Sequence, residues 1–277
     1  MDGTTTLTVP DGSGRVLGWR TVGQGPPLLL VNGYAATAAD WDPAFLAGLS
    51  ASRTVLLPDN RGMGTSSPGD LAGMTVGSLA TDLGTLLDHL AIDRLPVAGW
   101  SMGGMIAQEL AARSPGRVSA LVLLSTDAGG SSAVRASAAT WSRLVDHTGS
   151  PRDQATRLLS LLFPPAVAAD VDRLFGDVVA EARAGLSPDV LGAQERALDA
   201  WHGDGPDGPS PLPGSRLPVL VATGDEDQVI PPANAGLLAD RWGTDQVERF
   251  AGAGHAVMAQ EPVRLAASVT EFVDAHA

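Results

Sequence analysis

Short apolar runs and helix-like stretches alternate along most of the chain. The run PPLLLV at Pro26–Val31 is continuous rather than alternating, which favours a strand buried on both faces. Comparable runs lie at Thr54–Asp59, Leu95–Gly99, Ala120–Ser125 and Leu217–Gly224. Between them, Thr75–Leu90 and Met102–Ala112 repeat apolar residues at spacings of three and four, as amphipathic helices do. This order predicts an α/β fold with a doubly wound, mostly parallel sheet.

The first residues of the chain differ from this pattern. TTLTVP and RVLGWRTV flank the turn-forming cluster DGSG at Asp11–Gly14. Two strand-like stretches around such a cluster predict a β-hairpin. The hairpin is expected to precede the parallel part of the sheet.

Residues 127–211 contain no convincing buried strand. They show four helical patterns instead, and they lead into the Gly/Pro-rich stretch HGDGPDGPSPLPGSR, which is typical of a surface connection. The four patterns lie at Val134–His147, Gln154–Phe163, Ala166–Ala184 and Pro188–Trp201. We therefore predict a core domain of residues 1–126 and 212–277, with residues 127–211 inserted between two of its strands as a helical cap.

The composition of the chain excludes several kinds of site and disfavours several kinds of partner. The net charge is −13, every basic residue is Arg, and there is no Cys, so disulfides, thiolate metal sites and a Cys nucleophile are excluded. An acidic chain without a basic run is a poor partner for nucleic acid or an anionic membrane. The start MDGTTTLTVP lacks the basic and apolar parts of a secretory leader, so a cytoplasmic protein is expected. No metal-ligand spacing and no dinucleotide fingerprint occurs, which predicts chemistry without a cofactor or metal.

The stretch GWSMGG places one serine between glycines, after a predicted strand and before a predicted helix. A residue on such a strand-to-helix turn takes a strained backbone conformation, and Gly99 and Gly103 relieve crowding because they lack a Cβ. Gly104 allows the helix to pack close to the sheet. This setting predicts that Ser101 is a nucleophile exposed at the N-terminus of a helix.

A serine nucleophile needs a base and an acid that orients the base. His255 lies in a loop of small residues after a strand-like stretch, whereas His89, His147, His202 and His276 are expected to be surface or helix residues. The pattern G-x-x-D-x-x-x-P in GDEDQVIPP favours Asp227 as the acid. Asp127 remains an alternative, because it follows the Ala120–Ser125 strand.

These motifs together resemble the α/β-hydrolase family over nearly the whole chain. LLLVNGYAAT, PDNRGMGTSS, GWSMGG, GDEDQVIPP and GAGHAVMAQEP occur in the family's order. The resemblance implies an oxyanion hole formed by the main-chain N–H groups of Met102 and Tyr34. It also implies that Asp59 and Arg61 structure their loop. Asn32 departs from the family, which usually has His at this position.

Serine at the nucleophile position argues against the family's haloalkane dehalogenases and epoxide hydrolases, which attack through an aspartate. The resemblance leaves several functions open: ester or lactone hydrolysis, carbon–carbon bond hydrolysis, cofactor-free haloperoxidase or perhydrolase activity, acyl transfer, and a ligand-receptor or signalling role without turnover. A carrier-protein substrate is disfavoured, because the cap carries 12 acidic residues and 7 arginines.

The expected substrate is a neutral apolar ester or lactone of short to medium chain. Apolar residues of the cap at helical spacing should roof the site, and aromatic residues near the serine should line it. The predicted pocket residues are Tyr34, Trp100, Leu162, Phe163, Phe175 and Val257.

Overall fold

The computed structural model describes residues 4–10, 12–212 and 217–276. Parts of three predicted features lie outside the described residues. They are residues 1–3 at the start of the chain, Asp11 of the predicted hairpin turn, and residues 213–216 of the predicted surface connection. The strands are β1 (Thr5–Thr8), β2 (Val16–Val22), β3 (Pro27–Val31), β4 (Thr54–Pro58), β5 (Leu95–Trp100), β6 (Val118–Leu124), β7 (Val219–Gly224) and β8 (Val247–Phe250). The helices are α1 (Pro43–Ser50), α2 (Val76–His89), α3 (Met102–Arg113), α4 (Ala138–Leu144), α5 (Pro151–Leu162), α6 (Pro165–Ala184), α7 (Pro188–Trp201), α8 (Asn234–Trp242), α9 (Val257–Gln260) and α10 (Pro262–Ala275).

The eight strands form one sheet in the order β1-β2-β4-β3-β5-β6-β7-β8. β1 and β2 pair in antiparallel fashion, β2 pairs antiparallel with β4, and all the other pairs are parallel. The hairpin strands and the doubly wound, mostly parallel sheet predicted from the sequence are confirmed. The carboxyl ends of the parallel strands meet at one edge, where binding sites of open α/β sheets form.

Helices cover both faces of the sheet, which explains the continuous apolar runs. Every residue of β5, β6 and β7 is buried. Along β3, Leu29 and Val31 pack into the core beneath α2 and α3, whereas Leu28 and Leu30 pack into the core beneath α1 and α10. This alternation is the two-residue period of a strand with a hydrophobic layer on each side.

Four helices, α4 to α7, separate β6 from β7 along the chain. Each overlaps one of the four helical patterns predicted for the cap, although α4 is shorter than its predicted span and α5 begins three residues before its own. The sequence analysis did not predict α1, a short helix that begins with a Pro at its first position and is capped by Asp42. In the described part of the chain, no helix is both long and apolar enough to cross a membrane.

Candidate active site

Ser101 occupies the sharp turn between β5 and α3. Its backbone has φ 55° and ψ −124°, a conformation that residues other than glycine rarely adopt. A Cβ at Gly99 would collide with the main-chain oxygen of Gly103, and one at Gly103 would collide with that of Val31. A Cβ at Gly104 would lie 2.6 Å from the Thr126 side chain. The glycines therefore permit the turn and the close packing of α3 on the sheet.

The Ser101 side chain does not cap the helix that follows it. Its position at the N-terminus of α3 brings it beside the main-chain N–H groups of the first turn, which lack partners within the helix. Met102 is the first residue of that turn and is fully buried. The position suits both a nucleophile and a donor to a developing oxyanion.

Asp227 and His255 form a buried pair. His255 Nδ1 lies 2.8 Å from Asp227 Oδ2, and both side chains are almost inaccessible to solvent. Asp227 Oδ1 accepts hydrogen bonds from the main-chain N–H groups of Val229 and Ile230, each over 2.8 Å. These two donors fix the carboxylate so that it can accept an N–H from His255 Nδ1, an arrangement that suits the imidazole tautomer with its lone pair on Nε2.

The turn at Ser101 and the loop at His255 pack together through Trp100. The Trp100 and His255 rings are 5.3 Å apart between centroids. A Cβ at Gly33 would lie 3.1 Å from the Trp100 ring and 3.2 Å from the Ser101 Cβ. The loop after β3, Ser101 and His255 therefore meet in one place. Within the described residues the Ser101 hydroxyl makes no hydrogen bond, and serine–histidine contacts of this kind often tighten only when substrate binds.

Asp127, the alternative acid, has other partners. Its Oδ1 accepts from Trp201 Nε1 over 3.0 Å and from the Gly129 N–H over 2.9 Å. Its Oδ2 lies 2.9 Å from His202 Nε2, and His202 Nδ1 lies 2.8 Å from the Leu198 carbonyl oxygen. The structure brings Asp227, not Asp127, to His255. His202, expected to be a surface or helix residue, is the C-cap of α7 and lies half-buried against Asp127.

Asn32 takes over the anchoring of the loop after β3. Its Nδ2 donates to the Pro58 carbonyl oxygen over 2.9 Å, and its own carbonyl oxygen accepts from Asn60 Nδ2 over 3.0 Å. Both bonds tie the loop to the end of β4. The bond from Nδ2 gives a structural role to the side-chain amide, which stands where the family usually has His.

Tyr34 reaches from this loop into the cap. Its hydroxyl donates to Glu195 Oε1 over 2.7 Å and lies 3.3 Å from His147 Nε2. Burial raises the pKa of the Tyr34 hydroxyl well above its usual range, and the hydrogen bond to Glu195 and its charge raise it further. Tyr34 is therefore a neutral hydrogen-bond donor at physiological pH.

A small cavity of about 40 Å³ adjoins Ser101 at the boundary between cap and core. Most of its wall is apolar, and its polar lining comes from Arg135, Asp127 and His202. The apolar and aromatic residues that line it are Tyr34, Met105, Val134, Ala136, Trp141, Leu144, Leu198, Val229 and Ile230. The sequence analysis predicted Tyr34 but missed the others, although helical patterns marked the Val134–His147 and Pro188–Trp201 segments that carry five of them.

The other five predicted pocket residues do not line this cavity. The prediction that Phe175 lines the pocket is wrong, because this residue is 54% exposed. Its neighbours Leu174 and Val178 are also exposed. Trp100, Phe163 and Val257 are buried in the core cluster under α1 and α10. Leu162 packs against this cluster and against the one beneath α2 and α3.

The reason for the correction lies in how α6 packs. The buried positions of this helix are Ala168, Gly176 and Arg183, and a Cβ at Gly176 would lie 2.5 Å from the Arg152 guanidinium of α5. Small residues allow α5 and α6 to approach closely. On the same helix, Leu174, Phe175 and Val178 are exposed, whereas Val171 and Val179 pack against the core cluster under α1 and α10.

Known proteins share this architecture. The sequence model of the alpha/beta hydrolase fold matches residues 26–262. A protein named carbamate hydrolase RutD, from Variovorax paradoxus strain S110, is 28% identical over 270 residues, which cover 90% of this chain and 92% of that protein. A hydrolase from Pseudomonas aeruginosa PA01 has a solved structure with 25% identity and a TM-score of 0.76, covering 97% of each chain. An enol-lactonase from Burkholderia xenovorans LB400 has a similar fold, with 24% identity and a TM-score of 0.79 over 98% of this chain and 100% of that one.

Proposed function

We propose, from the premise that this chain belongs to the α/β-hydrolase fold family, that it is a cofactor-free serine hydrolase of carboxylic esters or lactones. The observation that carries the proposal is the Asp227–His255 hydrogen bond of 2.8 Å beside a serine at a strained turn. A carboxylate held by two main-chain donors keeps the imidazole in the tautomer that a general base requires.

In the first half of the proposed reaction, His255 Nε2 accepts the proton of Ser101 Oγ while Oγ bonds to the substrate carbonyl carbon. The carbonyl π electrons move to oxygen, and the main-chain N–H groups of Met102 and Tyr34 stabilise that oxyanion. One such donor contributes about 10²–10³ in rate, because the charge appears only in the transition state. The intermediate expels its alkoxide, which takes the proton from His255 Nε2 and leaves an acyl group on Ser101.

In the second half, water replaces the alcohol. His255 Nε2 accepts a proton from the water as its oxygen bonds to the acyl carbon, and the same N–H groups stabilise the oxyanion. Collapse of the intermediate breaks the bond to Ser101 Oγ, which recovers its proton from His255. The products are a carboxylic acid and the regenerated enzyme, so each turnover consumes one ester bond and one water.

An apolar acyl chain is the proposed occupant of the cavity beside Ser101. Its walls come from the cap, as Trp141 and Leu144, and from the core, as Val229 and Ile230. Each buried CH₂ group contributes about 0.8 kcal/mol. A cavity of about 40 Å³ holds only a small group, so a longer acyl chain requires the cap and core walls to move apart.

The test is kcat/KM for p-nitrophenyl esters of increasing acyl length, since a fixed leaving group isolates the acyl pocket. We expect kcat/KM to rise from acetyl to about hexanoyl and then to level off. A flat or falling series would contradict the apolar pocket. A marked preference for a charged acid or for a carrier thioester would do the same.

Carbamate hydrolysis is the second candidate, favoured by the relative of that name, which is 28% identical and matches along 92% of its length. The same Ser101 attack would form a carbamoyl-enzyme. A p-nitrophenyl carbamate in the ester panel separates the two candidates. Carbamate turnover above ester turnover would favour the second.

A further inference from the structure

Two consecutive cap residues hold two consecutive residues of the loop after β3. Gln194 Oε1 accepts a hydrogen bond from the Ala35 main-chain N–H over 2.9 Å. Glu195 Oε1 accepts from the Tyr34 hydroxyl over 2.7 Å. Gln194 is fully buried, so α7 of the cap is in direct contact with the loop that carries the proposed oxyanion donor.

Both flanks of this loop are anchored to the core. Asn32 Nδ2 donates to the Pro58 carbonyl oxygen over 2.9 Å, and the Ala38 N–H donates to Asp59 Oδ1 over 2.8 Å. Between these anchors, the main-chain N–H groups of residues 33–36 donate one hydrogen bond within the described residues, the one from Ala35 to Gln194. The middle of the loop is therefore held from the cap.

The backbone of the held residue is strained. Ala35 has φ 55°, a left-handed conformation that a residue with a Cβ adopts only when its surroundings fix it. The peptide between Tyr34 and Ala35 is the one that Gln194 holds, and the Tyr34 N–H lies one peptide earlier. Because both flanks of the loop are anchored, a rotation of the Tyr34–Ala35 peptide has to be absorbed by the adjoining peptides, one of which carries the Tyr34 N–H.

The Tyr34 side chain is fixed by a second set of cap groups. Glu195 Oε1, which accepts from the Tyr34 hydroxyl, also lies 2.8 Å from His147 Nε2. The Arg183 guanidinium lies close enough to influence the ionisation of Tyr34. On the cap side Glu195 thus has His147 as a hydrogen-bonding neighbour, and the two residues together hold the Tyr34 hydroxyl.

We propose that Gln194 and Glu195 are positioning residues that set the Tyr34 main-chain N–H for the oxyanion hole. This inference rests on the proposed function. The cap then does more than enclose substrate, because its seating on the core completes the stabilisation of the transition state. Chemistry is coupled to cap position through these two hydrogen bonds.

The Gln194→Met substitution tests this directly. It removes the acceptor with little change in volume, and within the described residues Gln194 makes only the bond to Ala35, since its Nε2 has no partner. We expect kcat for a p-nitrophenyl ester to fall at least tenfold with KM changed less than threefold. The inhibition constant of an alkyl boronic acid, whose tetrahedral adduct places an oxygen in the oxyanion hole, should rise by the same factor as kcat/KM falls.

Two further variants make the result decisive. Tyr34→Phe removes only the hydroxyl that Glu195 holds, and it should show a smaller loss of the same kind even if Gln194→Met folds poorly. Arg152→Gln is the control, because it breaks the α5–α6 contact with Asp172 but none of the hydrogen bonds of Gln194, Glu195 or Tyr34, and it should retain kcat and boronate affinity.

The outcomes separate this inference from the proposed function. Ester turnover that persists in Ser101→Ala defeats the proposed function. If Ser101→Ala is inactive but Gln194→Met and Tyr34→Phe keep wild-type kcat and boronate inhibition, or change KM alone, only the positioning role is overturned.

Discussion

The indole Nε1 of Trp100 donates a hydrogen bond to the main-chain oxygen of His255 over 2.9 Å. The residue directly before the proposed nucleophile therefore holds the residue proposed as the base, across 155 positions of sequence. Both residues are buried, and their rings pack at 5.3 Å. The Trp100 side chain thus links the end of β5 directly to the loop that carries His255.

Removing that indole N–H is expected to impair chemistry more than binding. Trp100→Phe keeps an aromatic ring but leaves the buried carbonyl oxygen of His255 unpaired, which costs about 1–3 kcal/mol. We expect a lower melting temperature and roughly a tenfold lower kcat. Trp41→Phe is the matched control, because Trp41 packs against Trp100 and its buried Nε1 has no partner in the described structure. Equal losses of kcat in the two variants would reject the role of the hydrogen bond.

Substitution of Asp227 is expected to impair catalysis, whereas substitution of Asp127 is expected to impair stability. Asp227→Asn should lower kcat by up to about 10⁴, since an amide no longer holds the His255 tautomer. Asp127→Asn should mainly reduce the free energy of unfolding, because it disturbs the bonds to Trp201 and His202. Steady-state kinetics and thermal melts of both variants distinguish the roles. A greater loss of kcat in Asp127→Asn would reverse the assignment of the acid.

Tyr34 should make stability fall at alkaline pH. Its folded pKa is raised above the ordinary value near 10, so above pH 10 the unfolded chain releases a proton that the folded chain keeps. The stabilisation is complete below pH 10 and is lost as pH rises, by up to about 1.4 kcal/mol per pH unit.

The composition makes this measurement clean, because Tyr34 is the single tyrosine and the chain has neither Lys nor Cys. Urea unfolding between pH 9 and 11.5, followed by tryptophan fluorescence, should show the decline in the wild type and a much smaller one in Tyr34→Phe. Phenolate absorbance that appears near pH 10 in the folded protein would contradict the raised pKa.

Cap residues should differ in their effect on acyl-chain selectivity. Leu198 lines the cavity beside Ser101, so Leu198→Ala should lower kcat/KM for the hexanoyl ester relative to the acetyl ester by about tenfold. Phe175 is largely exposed, and Phe175→Ser should leave selectivity unchanged and stability within about 0.5 kcal/mol. A selectivity change in Phe175→Ser would show that α6 faces the substrate.

The sequence predicts the parts of this molecule that depend on short-range constraints. Pro27–Val31 and Leu95–Trp100 follow from continuous apolar runs, because a strand between two helical layers has no solvent face. The Ser101 turn follows from glycines at fixed offsets, where a Cβ would collide with the main chain.

The pocket could not be predicted in the same way. Helical spacing shows that Leu174 and Val178 share a face of α6, but not what that face contacts, and both residues are exposed. The pairing of Asp127 with His202 likewise joins residues 75 positions apart. Such contacts depend on how the cap seats on the core, which no local pattern encodes.

The most direct test of the account is intact-protein mass spectrometry after reaction with a fluorophosphonate, followed by peptide mapping. The account predicts a single adduct on Ser101 in the wild type, no adduct in Ser101→Ala, and slower labelling in His255→Ala because the base is missing. An adduct on another residue, or ester turnover at the wild-type rate in Ser101→Ala, would contradict the claim that Ser101 is the nucleophile.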